Sequence, residues 1–307
     1  MNDAISLRGY QVQAVHSVIA HFQNYTEGYV HVVTGGGKTV IMSKVVSLFS
    51  GRTLVIAHTR EIVLQIKKCL SLFNVSHGSI NGNDKVVVTT RQSLNDVRLK
   101  GVQLLVVDEA HHATTTNSYG RIVKELRRFE PGGLILGFTA TPDSRVNTLF
   151  TREIFRWSYN DGKKMGVLVP YTEIFLTIWK SDWLKSLKSI YEQLYMEKRK
   201  CLAFFVNRQM SKRFCAYMRK SKHDCFHVDG TTEKNDRELL IKKFAECKTG
   251  LLCNVGVLTE GFDDPSIGGI ILYRNVQSPT LMTQIKGRGL RQCLGKKDCK
   301  IVHVRNM

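Results

Sequence analysis

The sequence predicts an α/β protein built from two mainly parallel sheets flanked by helices, and three observations carry that expectation. Short apolar runs of strand length alternate with amphipathic helix-length segments, the pattern of parallel strands joined by helical crossovers. The alternation lapses into polar and charged residues between Pro142 and Pro170, including "YNDGKKMG", and then resumes. The length of 307 residues, 43% of them hydrophobic with only five prolines, suits about two cores, because a single core stops growing near roughly 250 to 300 residues. The expected domains are 1–157 and 158–307.

In the first part, strands read at "YVHVV" (29–33), "TLVIAH" (53–58), "KVVVTT" (85–90), "QLLVVDE" (103–109) and "GLILGFTA" (133–140). The stretch between Pro142 and Pro170 is the expected linker. In the second part they read at "YTEIFLTI" (171–178), "CLAFFV" (201–206), "CFHV" (225–228), "GLLCNV" (250–255), "GGIILY" (268–273) and "KIVHV" (300–304). A helix is expected over "RELLIKKFAE" (237–246), with Leu239, Leu240, Lys243 and Phe244 spaced to give one face. No short repeat or low-complexity tract interrupts this order.

Composition narrows the partners. Lys plus Arg number 45 against 26 Asp plus Glu, and the basic excess is +7 through Trp157 and +12 after it. A charge spread over both parts suits a polyanion that touches the whole molecule better than one tethered to a basic tail. The eight cysteines form no Cys-x-x-Cys pair, and Cys293 and Cys299 lack partners at zinc-finger spacing. Reduced thiols are expected. "MNDAISLRGYQ" lacks the apolar run of a secretory leader and no stretch approaches the roughly 18 to 20 apolar residues of a membrane span, so the expected location is cytoplasmic, with no membrane partner.

"VVTGGGKT" (32–39) follows a strand and leads into the helical pattern "KTVIMSKVVSLF". Glycines there let the backbone approach a phosphate, helix-terminal N–H groups and the helix dipole favour the anion, Lys38 can reach terminal phosphates, and Thr39 can hold Mg²⁺. "VVDEAHH" (106–112) ends a strand in two carboxylates, Asp108 for the metal and Glu109 to polarise an attacking water. His111 and His112 are adjacent on a turn and read as coupling or packing residues.

Taken in order, "LRGYQ" (7–11), "VVTGGGKT", "LVIAHTREIVLQ" (54–65), "VVVTTRQSL" (86–94), "VDEAHH", "GFTATP" (137–142), "NVGVLTEGFDDPSI" (254–267) and "QIKGRGLR" (284–291) resemble the motif series of superfamily 2 helicases. The chain looks most like the DEAH-box group of RadD-type DNA-repair ATPases and restriction-enzyme (ResIII-like) motors, which also occur as compact phage versions. The resemblance runs from Leu7 to about His303. It implies two RecA-like domains with ATP in the cleft between them and nucleic acid across their top.

Residue by residue, the resemblance places Gln11, with Arg8 nearby, at the adenine, and Thr34, Gly35, Gly36, Gly37, Lys38 and Thr39 at the phosphates and Mg²⁺. Gly261 and Asp263 fall near the ribose, and His111, Thr139 and Thr141 couple the nucleotide to the domain interface. Gln284, Arg288 and Arg291 are spaced by four and three on an expected helix, so they share a face. Either arginine could serve as a finger on the γ-phosphate, worth on the order of 10³ to 10⁵ in rate. Thr59, Arg60, Thr90, Arg91, Gln92, Asn207, Arg208, Gly230, Thr231 and Thr259 fall where the family contacts the phosphodiester backbone. Such contacts carry affinity without sequence information, which suits a motor.

The implied activity is an ATP-dependent DNA helicase or translocase working on duplex, forked or branched DNA in a bacterial or phage-infected cell. RNA is the second choice of track, and a motor subunit or an ATP-gated clamp within a larger complex is the other alternative. Departures from the pattern are Val32 and Val33 at the start of the glycine-rich turn and His303 where RadD-like chains tend to carry an acidic residue. No cysteine-rich tail, nuclease segment or strand-separating wedge is visible in the sequence.

Overall fold

In the computed structural model, which describes residues 6–78, 84–96, 99–258 and 262–307, the chain forms two compact units, Met1–Asp161 and Gly162–Met307. The first unit runs α1 (Gly9–His21), β1 (Glu27–Val32), α2 (Lys38–Leu48), β2 (Arg52–Ala57), α3 (Arg60–Leu72), β3 (Val86–Thr90), β4 (Val102–Asp108), α4 (Ser118–Phe129), β5 (Leu134–Thr139) and β6 (Glu153–Trp157). Its six strands pair in the order β3-β2-β4-β5-β1-β6, and all are parallel. Helix α5 (Tyr159–Lys164) carries the chain from one unit into the next.

The second unit runs β7 (Tyr171–Ile178), α6 (Trp183–Met196), β8 (Lys200–Phe205), α7 (Arg208–Lys220), β9 (Cys225–Asp229), α8 (Lys234–Glu246), β10 (Leu251–Val255), β11 (Ile267–Tyr273), α9 (Pro279–Gly289) and β12 (Cys299–Asn306). These strands are also parallel, in the order β7-β12-β11-β8-β10-β9. Strands β4, β8 and β11 are buried almost throughout, which is why they read as unbroken apolar runs: a parallel sheet covered on both faces has no polar side. The first core gathers Leu54, Leu105, Ile122, Ile135 and Phe150, and the second gathers Leu187, Tyr191, Phe205, Phe214 and Ile271. Among the described residues no helix is long and apolar enough to cross a membrane.

Local chemistry sets the helix starts. Thr59 Oγ1 accepts from the Ile62 N–H, Asn207 Oδ1 from the Met210 N–H, and Ser278 Oγ from the Leu281 N–H ahead of Pro279 in the first turn of α9. Two expectations need correction. The supposed linker holds β6, an edge strand whose Glu153 and Arg156 pair with each other at the surface, so charge masked the strand signal. On α8, only Phe244 is fully buried and Leu239 is 50% exposed, because that helix packs on the edge strand β9 and one row of side chains suffices.

Candidate active site

Because all strands of a sheet run the same way, the segments leaving them emerge along one edge, where ligands of open α/β sheets bind. In the first unit the strand order sorts the candidates into two groups. The neighbouring strands β4, β5 and β1 deliver Asp108 and Glu109, then Thr139 to Thr141, then the turn 33–37. The outer strands β2 and β3 deliver Thr59 and Arg60, then Thr90, Arg91 and Gln92.

The turn after β1 uses glycine where only glycine fits. Gly37 caps α2 at φ 79°, and a Cβ on Gly36 would lie 2.5 Å from Val32 Cγ1 and 2.6 Å from Trp157 Cζ3. The Tyr10 hydroxyl donates to the Gly36 carbonyl at 2.7 Å, and the Tyr10 ring stacks on Trp157 with centroids 4.0 Å apart and planes 7° from parallel. Gln11 lies against Gly37, and its Oε1 accepts from the Arg8 N–H at 2.9 Å. Thr34 is buried and Thr39 half-buried.

Lys38 opens α2 and donates to Glu109 Oε1 at 2.8 Å. The side chains of Lys38 and Glu109 are 13% and 10% exposed, so this is a partly desolvated ion pair. Glu109 itself sits in the left-handed region at φ 49°, and Asp108 beside it is buried. Among the described residues no three His, Cys, Asp or Glu side chains converge on a common point.

Fully buried His111 links Glu109 to β5. Its Nδ1 lies 3.0 Å from Thr139 Oγ1 and 3.4 Å from Glu109 Oε2, and Thr139 Oγ1 accepts from the Thr141 N–H at 3.1 Å. Burial pushes the His111 pKa down to about 4, against the opposing pull of Glu109. The folded protein then resists a proton that the unfolded chain accepts near 6.5, so this stability contribution is full above about pH 6.5 and is lost as pH falls toward 4. Urea unfolding at pH 7 and pH 4.5 checks this: the acid loss should shrink in His111→Gln by on the order of 2 to 3 kcal/mol. An unchanged loss would show that His111 is not the group responsible. His112 stacks instead on His58, with centroids 4.6 Å apart.

In the second unit the candidates divide again by strand. Asn207 and Arg208 follow β8 and Gly230 and Thr231 follow β9, the two strands that flank β10. Thr231 donates through N–H and hydroxyl to Asp229 at 2.7 and 2.6 Å. Burial raises the pKa of Asp229, yet these bonds and one from His227 outweigh it and hold the carboxyl well below the usual carboxylate range. Arg208 is exposed, as are Arg60 and Gln92 in the first unit. Thr259 and Gly261 lie outside the described residues.

Gln284 and Arg288 are buried on α9, and Arg288 donates to the Phe262 carbonyl. Arg291 does not share their helix, as the spacing had implied. The helix ends at Gly289, and Arg291 lies beyond it in an isolated antiparallel bridge with Leu168, its guanidinium paired with Asp263. Sequence reasoning missed Tyr10, Trp157 and Phe262. Tyr10 had a signal, standing next to Gln11, whereas Trp157 meets Tyr10 from the far end of the unit.

Residues 4–144 match the family described as the type III restriction enzyme res subunit, and residues 182–293 match the helicase conserved C-terminal domain. Together the two matches span most of the chain, a res-subunit part followed by a helicase C-terminal part. IRC3 of Saccharomyces cerevisiae, named as an ATP-dependent helicase, is 24% identical over 96% of this chain and 51% of its own length. The chain spans between about half and three fifths of the length of the first curated relatives it matches. Among solved structures, LlaBIII, an ATP-dependent Type ISP restriction-modification enzyme bound to DNA, superposes with a TM-score of 0.76 at 16% identity over 97% of this chain and 27% of that one. Dbp5 of S. cerevisiae bound to RNA and ADP BeF3 gives 0.71 at 15% identity over 98% and 88%. At these identities the likeness is one of fold: two RecA-like domains, each a six-stranded parallel sheet.

Proposed function

We propose that this chain is a nucleic-acid-stimulated ATPase that translocates along or unwinds DNA in repair, recombination or branch migration, with 1–157 as the ATP-binding domain and 158–307 as the helicase domain. The observation that carries the reading is the Lys38–Glu109 pair at the glycine turn. It joins the cation that would grip the terminal phosphates to the carboxylate that would activate water. Phosphate competes for Lys38, and Glu109, released, orients the attacking water and takes its proton as the new oxygen–phosphorus bond forms and the bond to the leaving diphosphate breaks.

Backbone N–H groups of the first turn of α2, which no side chain caps, complete the phosphate cradle from Thr34 to Thr39. Gln11 with Arg8 would read the adenine. Mg²⁺ on Thr39 and Asp108 would spread charge from the phosphate oxygens. Either Arg288 or Arg291 would supply positive charge to the transferred phosphoryl group, Gln284 would offer a hydrogen-bonding amide there, and Asp263 with Gly261 would serve the ribose.

Thr59, Arg60, Thr90, Arg91 and Gln92 in one unit, and Asn207, Arg208, Gly230, Thr231 and Thr259 in the other, would hold the phosphodiester backbone. The capped starts of α3 and α7, each followed at once by an arginine, support this because each places helix N–H dipoles and a guanidinium together. The res-subunit match of the first half favours DNA over RNA as the track.

Steady-state ATPase rates with single-stranded, blunt duplex and branched DNA and with RNA test the reading at two salt concentrations. DNA should stimulate more than RNA, and at sub-saturating DNA the stimulation should fall steeply with salt, as released counterions require. Stronger stimulation by RNA would move the substrate to the second choice. A rate indifferent to every nucleic acid would remove the motor reading from the isolated chain and leave the motor subunit of a larger complex.

A further inference from the structure

Arg291 is anchored at its root as well as at its tip. Its backbone bridges Leu168, and the seam continues on both sides, with the Val169 N–H donating to the Leu290 carbonyl at 2.8 Å and the Gln292 N–H to the Val167 carbonyl at 3.4 Å. Leu168 and Val169 are each 2% exposed, so the seam is fixed in the core. The Lys296 ammonium adds a brace from the other side, donating to the Arg291 carbonyl at 2.8 Å and to the Pro265 carbonyl at 2.9 Å.

A tight turn delivers that ammonium: Gly295 takes φ 80° and the Lys296 N–H donates to the Cys293 carbonyl at 3.1 Å. Lys296 thereby ties the segment that carries Asp263 to the segment that carries Arg291, next to the ion pair those two residues form. Burial pulls the Lys296 pKa below its ordinary value, so a solvent-exposed site would suit this cation better unless the two carbonyls are what it is there to hold. The 167–169 segment is also the first extended stretch after α5, the helix by which the chain enters the second unit.

We propose that Lys296 and the 167–169 backbone are positioning groups for Arg291, fixing the root from which its guanidinium projects and joining that arginine to the chain arriving from the first unit. The proposal rests on the reading of Arg291 as a cation acting on the transferred phosphoryl group. An arginine side chain has several rotatable bonds, so a fixed root narrows where its tip can lie. A misplacement of about 1 Å can cost a catalytic step about 10²-fold.

The test compares ATP turnover at saturating nucleic acid in Arg291→Ala, Lys296→Met, Lys296→Arg and the double variant Arg291→Ala/Lys296→Met, with thermal melting of each. Lys296→Met should lower kcat about 10- to 100-fold and leave KM for ATP within about twofold. Lys296→Arg should restore most of the rate, because its guanidinium can donate to the same carbonyls. The double variant should be no slower than Arg291→Ala alone, since Lys296 acts only through that residue. Wild-type kcat in Lys296→Met alongside a slow Arg291→Ala would overturn the positioning role and leave the reading of Arg291 standing. A double variant slower than either single, with a lowered melting temperature, would make Lys296 a structural brace only and overturn it equally. Full activity in Arg291→Ala would overturn both.

Discussion

Glu109→Gln is expected to stop ATP turnover, lowering kcat by about 10²- to 10⁴-fold, while the protein stays folded and still binds nucleotide. Glutamine keeps the shape of the side chain, and its carbonyl can still accept from Lys38 Nζ, which stands 2.8 Å from Oε1. What it loses is the negative charge and the ability to take a proton from water. The same change should tighten nucleotide binding, because Lys38 no longer trades a carboxylate for a phosphate. Lys38→Ala should do the reverse and weaken binding, since it removes the cation that meets the phosphates. Single-turnover hydrolysis read beside a nucleotide titration separates these effects. Unchanged hydrolysis in Glu109→Gln would eliminate the proposed base, and weakened binding would mean that the Lys38–Glu109 pair does not compete with the substrate.

The strands were legible because their environment left a direct mark on composition. β4, β8 and β11 are covered on both faces, so nearly every residue is apolar, and runs such as "QLLVVD" could hardly be anything else. β6 lacked that mark: on the edge, Glu153 and Arg156 face solvent, and the run "EIFRW" resembles a connection. The glycine turn, Asp108 and Glu109 were legible since their chemistry is local in sequence, whereas Tyr10 reaches Gly36 only after folding. Arg291 failed for a physical reason already present in "QIKGRGLR". Spacings of four and three suggest one helical face, but Gly287 and Gly289 weaken a helix interior by roughly 1 kcal/mol each. The helix ends at the second of them, where the bare Cα leaves room for Cys299 Sγ. Lys296 was silent in sequence because it works through two backbone carbonyls, which carry no side-chain signature.

Arg288 and Arg291 are expected to fail in different ways, and the difference identifies which one acts on the phosphoryl group. Arg291→Ala should lower kcat by about 10³-fold or more. Its stability should change by no more than about 1 kcal/mol, since Asp263, the partner it leaves, is 57% exposed and regains water. Arg288→Ala should lower the melting temperature as well as the rate. Arg288 is 7% exposed, and its loss strips a hydrogen bond from the Phe262 carbonyl, a cost of about 1 to 3 kcal/mol for an unsatisfied buried acceptor. On this expectation Arg288 would serve the fold of the segment that carries Asp263, and Arg291, paired with that exposed carboxylate, would exchange it for a phosphate at little cost. Arg291→Lys sharpens the contrast, because a lysine keeps the charge and loses the planar fork that meets two oxygens at once. A rate near wild type in Arg291→Lys would mean that charge alone suffices at this position. A stable but inactive Arg288→Ala, beside a fully active Arg291→Ala, would transfer the finger to Arg288 and leave Arg291 as a structural partner of Asp263.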